Sequence, residues 1–184
     1  MAATPDRFRF CPKAQRGASW SALRDADPSA SVTWITDAVA GFGERLGVVL
    51  LSVPKTTPRD DAALGRFLEA WPRSVRLALE LRDPSWADDA VHARLAEHGV
   101  ALVATDVDGA DEPDMRHVGG ILYLRLRRTT YAPERIAAWS DRLAPFLDDG
   151  IDAYVFFRHD EDGSSAIAAE TLAALSARSV AGNP

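Results

Sequence analysis

The sequence is poor in cysteine: its 184 residues include a single one, Cys11. One thiol excludes an internal disulfide framework and predicts a reducing compartment, the cytoplasm. Apolar runs are also short, and none approaches the roughly 18 residues needed to span a bilayer, so we expect no membrane partner. The opening stretch MAATPDRFRF has no apolar segment after its first charges, and a secretory signal is therefore not expected.

Several catalytic motifs are missing as well. The chain has no glycine-rich phosphate loop and no Gly-x-Ser-x-Gly, so nothing supports a nucleotide cofactor or a serine hydrolase. His-Glu-x-x-His is absent, and His92 and His98 are too far apart on one helix to share a face. We therefore predict no cofactor and no metal site. A divalent-metal cluster of Glu80, Asp106 and the pair His159-Asp160 stays open as an alternative.

Positive charge is in deficit. Lys and Arg number 21 against 27 Asp and Glu, a net charge of −6, while apolar residues make up 47%. These values are ordinary for a folded protein and argue against a nucleic-acid-binding surface over the whole molecule. They leave room for a local basic cleft.

The periodicity predicts alternating strands and helices. Six short segments rich in Val, Leu, Ile and aromatics read as buried strands: Arg7–Cys11, Gly47–Val53, Val75–Leu81, Val100–Thr105, Ile121–Leu126 and Ala153–Phe157. Helical spacing occupies five segments between and after them: Ser31–Phe42, Asp60–Trp71, Asp88–His98, Pro133–Leu147 and Ala166–Arg178. The stretch Val107–Gly119 is predicted to be a loop.

Repeated strand–helix alternation indicates an α/β fold with a mainly parallel sheet. The predicted strands begin about 30 residues apart, close to the roughly 31 residues per unit of a (β/α)8 barrel. The chain would therefore hold six units of a TIM-barrel-like fold. We expect one domain over residues 1–178 and a flexible tail over residues 179–184.

Alternating apolar and polar residues indicate which face each side chain of a predicted strand lies on. On Val75–Leu81 and Ile121–Leu126 the leucines share one face, which we expect to meet helices. The opposite, interior face would then hold Glu80 and Arg125, with Arg82 and Arg127 just beyond. Ligands of α/β folds bind at the carboxyl ends of the strands. The sequence also places four further polar residues at strand ends: Lys13, Asp106, His159 and Asp160.

Two interpretations of this polar set stay open. A charged group on a buried strand is costly unless it is paired, so Glu80 with Arg82 or Arg125 could form a structural salt bridge. Alternatively, Lys13, Arg82 and Arg125 could hold a phosphate or carboxylate. Glu80 or Asp106 would then serve as an acid, a base or a metal ligand.

The segment Glu80-Leu-Arg-Asp-Pro-Ser-Trp86 resembles the Glu-x-Arg-x-x-Ser-Trp signature of the YecE-like family, domain of unknown function seventy-two. Other segments agree in order and spacing from Phe8 to about Leu175. They are Phe8-Arg-Phe10 with Lys13, Leu46-Gly47 through Pro54, Asp106 after its strand, Tyr123-Leu-Arg125, Tyr131 with Trp139, and Phe157-Arg-His159-Asp160.

The resemblance implies a TIM barrel that here lacks the first two strand units of the family, and we expect an upstream start or a shortened chain. It also shows departures. Gly17-Ala-Ser-Trp20 lacks the family's Thr-His pair, Ser52 stands where Gln is usual, and Arg127-Arg128 replaces a His-Gly. These changes make the predicted site more cationic.

The resulting hypothesis is an enzyme, or the remnant of one, that binds a small anion at the carboxyl-end mouth. Glu80 and Asp106 are the candidate catalytic residues. The candidate ligand-binding residues are Lys13, Arg82, Trp86, Arg125, Tyr131, His159 and Asp160. A non-catalytic binding or accessory protein with a structural polar interior is the first alternative. Binding of nucleic acid in the basic mouth is the weaker one.

Overall fold

A computed structural model describes residues 4–181, and the side chains of residues 4–177. Five parallel strands follow the chain order in one sheet: β1 Val49–Val53, β2 Leu77–Leu81, β3 Ala101–Asp106, β4 Ile121–Leu126 and β5 Asp152–Phe157. Six α-helices accompany them: α1 Arg16–Ala22, α2 Ser29–Ala40, α3 Asp61–Ala70, α4 Asp89–Glu97, α5 Pro133–Asp148 and α6 Ser164–Ala181. The predicted α/β class with a parallel sheet is confirmed.

The chain divides into two compact units, one up to Leu102 and one from Val103 onward. In the first unit β1 pairs with β2 from Val49 with Leu77 to Val53 with Leu81, and the start of β3 continues from β2. The interior of these strands is apolar, and Leu51, Leu77 and Leu79 are fully buried. Helix α1 packs against β1 and α2, and α2 packs against α3.

The predicted first strand, Arg7–Cys11, does not form a strand. The segment makes one isolated parallel bridge, Phe10 with Leu46, and a second bridge follows it, Lys13 with Leu50 in β1. Pro12 lies between the bridges and has no N–H to donate to a ladder. The register also shifts by one residue there. Lys13 is three positions after Phe10, whereas their partners Leu46 and Leu50 are four positions apart.

Gly47 permits this close approach. A Cβ at this position would lie 2.7 Å from the Sγ atom of Cys11. That distance is far inside van der Waals contact, so a side chain at position 47 would push the amino-terminal segment away from β1. The Leu-Gly pair of the family pattern therefore has a packing reason in this chain.

In the second unit the end of β3 pairs with β4, and β4 pairs with β5 from Ile121 with Asp152 to Leu126 with Phe157. The leucine face of β4 packs on α5 and α6, as predicted. This core comprises Leu122, Leu124, Leu126, Ile136, Trp139, Leu143, Ala168 and Leu172. The opposite face of β4 presents Tyr123, whose ring stacks on Phe156 of β5 at a centroid distance of 5.1 Å.

The five predicted helices form, with ends that differ by a few residues, and local chemistry explains several of the ends. Asp60 and Asp88 cap α3 and α4, accepting hydrogen bonds from Ala63 N at 2.8 Å and Ala90 N at 2.8 Å. Gly99 and Gly150 follow α4 and α5 with φ of 67° and 75°, the left-handed conformation that ends helices.

The sequence analysis did not predict three short elements: α1 and two single-turn 3₁₀ helices, Gly43–Arg45 and Pro84–Trp86. Helix α6 runs to Ala181, so it includes the first three residues of the predicted tail. The remaining residues of that tail, 182–184, lie outside the described residues. Among the helices of the described chain, none is long and apolar enough to cross a membrane.

Candidate functional site

In the first unit, a buried carboxyl group lies near the carboxyl ends of β1 and β2. Glu80 is 5% exposed, and Ser52 faces it across the register of the two strands. The Ser52 hydroxyl donates a close hydrogen bond to Glu80 Oε2. Ser52 stands where the family usually has Gln, and its hydroxyl supplies a hydrogen-bond donor at that position.

A cavity of ≈290 Å³ opens beside this pair, lined by Lys13, Ala14, Arg16, Ser52, Pro54 and Arg82. Its charged lining residues are the three cations Lys13, Arg16 and Arg82, and all three are exposed. Within the part of the chain that the structure describes, none of these three side chains forms an ion pair or hydrogen bond. We call this site the cation cavity.

The backbone positions each of these cations. Lys13 is placed by the second isolated bridge, in which Leu50 N donates to Pro12 O and Ala14 N donates to Leu50 O, both at 2.9 Å. Arg16 is the first residue of α1. Arg82 directly follows the last residue of β2.

Arg16 is the residue of this cavity that sequence reasoning missed. The helix that carries it has Gln15 at its N-cap, whose side chain accepts a hydrogen bond from Ala18 N at 3.0 Å. Gln is not among the side chains that mark helix starts in a sequence. The signal that was available is the Arg16–Trp20 spacing of four residues, which is typical of one helix face.

Trp86 lies in the core of the first unit. It is 3% exposed, and its indole N–H donates to the carbonyl of Thr57 at 2.9 Å. Ser85 also holds this loop, because its hydroxyl donates to Asp83 at 2.6 Å and accepts from Arg59 N at 2.8 Å. The Ser-Trp part of the signature therefore stabilises a loop. The predicted ligand contact of Trp86 remains a prediction, and the burial of its side chain does not support it.

The second unit has a different polar cluster, centred on Asp106 at the end of β3. Asp106 is fully buried, and both carboxylate oxygens accept hydrogen bonds. Arg128 Nε donates to Oδ1 at 2.6 Å and the Tyr131 hydroxyl donates to Oδ2 at 2.9 Å. Arg128 also donates to the carbonyl of Ala110 at 2.9 Å. The Asp106 cluster is thus internally satisfied.

Tyr131 is neutral in this cluster. Burial raises the pKa of its hydroxyl above the ordinary value of about 10, and the hydrogen bond to the Asp106 carboxylate raises that pKa further. The phenol is therefore a donor to Asp106 and not a base. The sequence named Tyr131 and Asp106 but not Arg128, which it noted only as a departure from the family pattern.

The remaining predicted residues of the second unit have separate environments. Arg125 is half-buried on β4 and pairs in register with Phe156. His159 is exposed. Asp160 lies at the start of α6, where it accepts hydrogen bonds from Ser164 Oγ at 2.8 Å and Ser165 N at 2.6 Å. These bonds hold the pKa of Asp160 at about 2, so it is an ionised helix cap.

Two sequence hypotheses concerned pairs and metals. Arg82 forms no salt bridge with Glu80, so that version of the predicted pair is wrong, while the Glu80–Arg125 version stays a prediction. Over residues 4–181, no group of three or more His, Cys, Asp or Glu side chains is placed to hold a metal ion.

Cys11 is half-buried, and this burial raises the pKa of its thiol and disfavours the reactive thiolate.

The strands, helices and strand-end charges define an α/β protein with a parallel sheet and candidate ligand groups at its carboxyl edge. A comparison with protein families matches residues 1–183 to "Protein of unknown function DUF72". The chain belongs to this family, for which YecE-like is another name.

Solved structures of the same family share the fold. A DUF72 family protein from Thermotoga maritima is 21% identical, with a TM-score of 0.68 over 95% of this chain and 75% of that one. One from Enterococcus faecalis is 19% identical, with a TM-score of 0.75 over 95% of this chain and 80% of that one. None of the curated proteins matches the chain.

Proposed function

We propose that the protein binds a small anion, a phosphate or carboxylate, in the cation cavity, and that this cavity belongs to the carboxyl-end mouth of a TIM-barrel-like domain. The observation that carries the proposal is the set of three cations around one cavity. Lys13, Arg16 and Arg82 line it with no acidic side chain in its wall and no partner among the described residues.

The energetics favour an anion as the missing partner. Like charges at one cavity repel each other, and a protein whose net charge is −6 has ample carboxylates that could have neutralised them. A bound phosphate or carboxylate would accept charge-assisted hydrogen bonds from all three, including the paired N–H groups of a guanidinium. Each such bond contributes about 1.5–3 kcal/mol.

The proposal has an enzymatic form, in which Glu80 moves a proton to or from the bound anion. Glu80 is buried and accepts a hydrogen bond from Ser52, and Ser52 lines the cavity wall, which supports Glu80 as the proton-transfer group. Asp106 has less support as a catalytic residue, because Arg128 and Tyr131 occupy both of its oxygens. Its proposed role is to hold the second unit together.

Calorimetric titration with inorganic phosphate and with acetate tests the binding. The wild type should bind at least one of them, and Arg82→Ala should raise the Kd about tenfold, the value of one lost charge-assisted contact. Arg66→Ala is the matched control, since Arg66 is an exposed arginine on α3 outside the cavity and its loss changes the net charge equally. Equal Kd values for the two variants would overturn the proposal.

Glu80→Gln separates the enzymatic form from the non-catalytic alternative. If Glu80 serves the ligand, the variant should bind the anion and unfold at a free energy close to that of the wild type. If Glu80 is the charged member of a buried pair, its replacement should cost about 3–5 kcal/mol of stability. Urea unfolding measures the difference, and the larger loss would favour a binding or accessory protein with a structural interior.

A further inference from the structure

A second cavity lies along the same helix as the cation cavity, entirely within the first unit. Its volume is ≈510 Å³. One wall is formed by Trp20, Leu23 and Arg24, at the end of α1 and just after it, and the other by residues 56–60 after β1. The cation cavity is bounded by the start of the same helix and by Pro54 of the same connection.

Arg16 and Trp20 are four residues apart and lie on one face of α1. The helical rise separates them by about 6 Å along the axis, one turn. Arg16 belongs to the cation cavity and Trp20 to the second cavity. Residues one turn apart on the same helix thus line the two cavities, and we call the cavities together the α1 groove.

Trp20 is an exposed aromatic ring in this groove. It is 47% exposed, and the Arg24 guanidinium stacks over the ring at 4.2 Å from its centroid. This cation–π contact covers one face of the indole and leaves the other face for a second ring. An exposed indole is a platform on which a planar ring can stack.

The other charged groups of the second cavity already have partners. Arg59 Nε contacts Asp61 at 2.8 Å and Arg59 Nη1 contacts Asp88 at 3.1 Å. Asp60 caps α3 through Ala63 N. These two residues are therefore engaged with other parts of the first unit, whereas the exposed ring of Trp20 and the three cations are available to a ligand.

We propose that the ligand of the α1 groove is a phosphate ester that carries a planar aromatic ring. Its phosphate binds Lys13, Arg16 and Arg82, and its ring stacks on Trp20. A sugar or a group of similar length spans the turn of helix between them. This inference rests on the proposed anion binding and adds the chemical class of the rest of the ligand.

A nested series of three probes tests the inference on the full chain: inorganic phosphate, ribose 5-phosphate and adenosine monophosphate, each titrated by calorimetry. We expect adenosine monophosphate to bind about tenfold more tightly than ribose 5-phosphate, as base–aromatic stacking provides. Trp20→Ala should remove that tenfold gain and leave the affinity for inorganic phosphate unchanged. Trp20→Phe should restore part of it.

Trp34→Ala is the matched control, because Trp34 is an exposed tryptophan, 55% accessible, on α2 and outside both cavities. It should bind all three probes like the wild type. Equal affinities for ribose 5-phosphate and adenosine monophosphate would overturn this inference while leaving anion binding intact. Failure of all three probes to bind would overturn the anion proposal and this inference together.

Discussion

The polar clusters of the two units differ in whether their charged side chains have partners within the protein. In the first unit, three cations line a cavity and have no protein partners within the described chain. In the second, the buried Asp106 carboxylate has a donor on each oxygen. Two charged groups near the ends of parallel strands can therefore differ completely in whether other residues of the chain bind them. The group without a protein partner is the one we propose to bind a ligand.

This difference leads to opposite expectations for mutants. A side chain whose bonding capacity is filled by the protein should be needed for stability. A side chain whose capacity is open to solvent should be dispensable for folding and needed for the ligand. Three measurements of stability test this contrast.

The largest effect is expected for Asp106→Ala in the second unit. It leaves the Arg128 guanidinium and the Tyr131 hydroxyl without their shared acceptor and should lower the free energy of unfolding by about 3–5 kcal/mol, as breaking a buried pair does. Asp111→Ala, at an exposed aspartate of the same unit, should stay within about 0.5 kcal/mol of the wild type. Urea denaturation followed by circular dichroism measures both, and equal losses would contradict a structural Asp106.

A smaller loss, about 1.5–3 kcal/mol, is expected for Tyr131→Phe, which removes the hydrogen bond to the Asp106 carboxylate and the longer one accepted from Arg128 N at 3.2 Å. The variant should also change the pH profile. Because the folded-state pKa of Tyr131 is raised, its contribution is complete below the unfolded value of about 10 and decreases as pH rises above it. Thermal melts from pH 8 to 11 should therefore show a steeper decline for the wild type than for Tyr131→Phe. Parallel curves would mean that the phenol titrates as it does in the unfolded chain.

The smallest effect is expected for Arg82→Ala. Since Arg82 has no protein partner in the described chain, its removal should change the free energy of unfolding by less than about 0.5 kcal/mol. Arg128→Ala is the matched arginine of the second unit and should cost about 3–5 kcal/mol, because it leaves the buried Asp106 carboxylate without its cation. Unfolding of the two variants under the same conditions measures the contrast. A large loss for Arg82→Ala would assign Arg82 a structural bond and weaken the proposed site.

The spacing of apolar residues predicted most of the fold, because a strand or helix with one buried face repeats apolar residues at a regular interval. It failed where a local feature overrode the pattern. Arg7–Cys11 has the composition of a strand, but Pro12 and the one-residue register shift reduce its pairing to two bridges. Helix α1 is short and has an unusual N-cap, so neither length nor capping indicated it.

For the candidate site, the predicted end of β2 was sufficient to place Arg82. Lys13 was assigned to the end of a predicted strand that does not form, and it lines the cavity through its bridge with Leu50. What the sequence could not show is which strand-end charges are satisfied. Whether Arg127 or Arg128 reaches Asp106 depends on the course of the chain after β4, where Arg127 N donates to the carbonyl of Asp106 at 2.8 Å and the next side chain turns inward. The role of Trp86 likewise depended on a contact with a loop 29 residues earlier.

The segment Glu80-Leu-Arg-Asp-Pro-Ser-Trp86 combines two independent kinds of information. Its first part supplies the buried carboxyl group and Arg82 beside the cavity, whereas Ser85 and Trp86 fasten a loop through Arg59 N and the carbonyl of Thr57. A relative that keeps the Ser-Trp half but has lost the Glu-x-Arg half would retain the loop without the ligand groups. Under the proposed anion binding, sorting family members by which half they preserve would divide those that keep the proposed ligand groups from those that keep only the loop contacts.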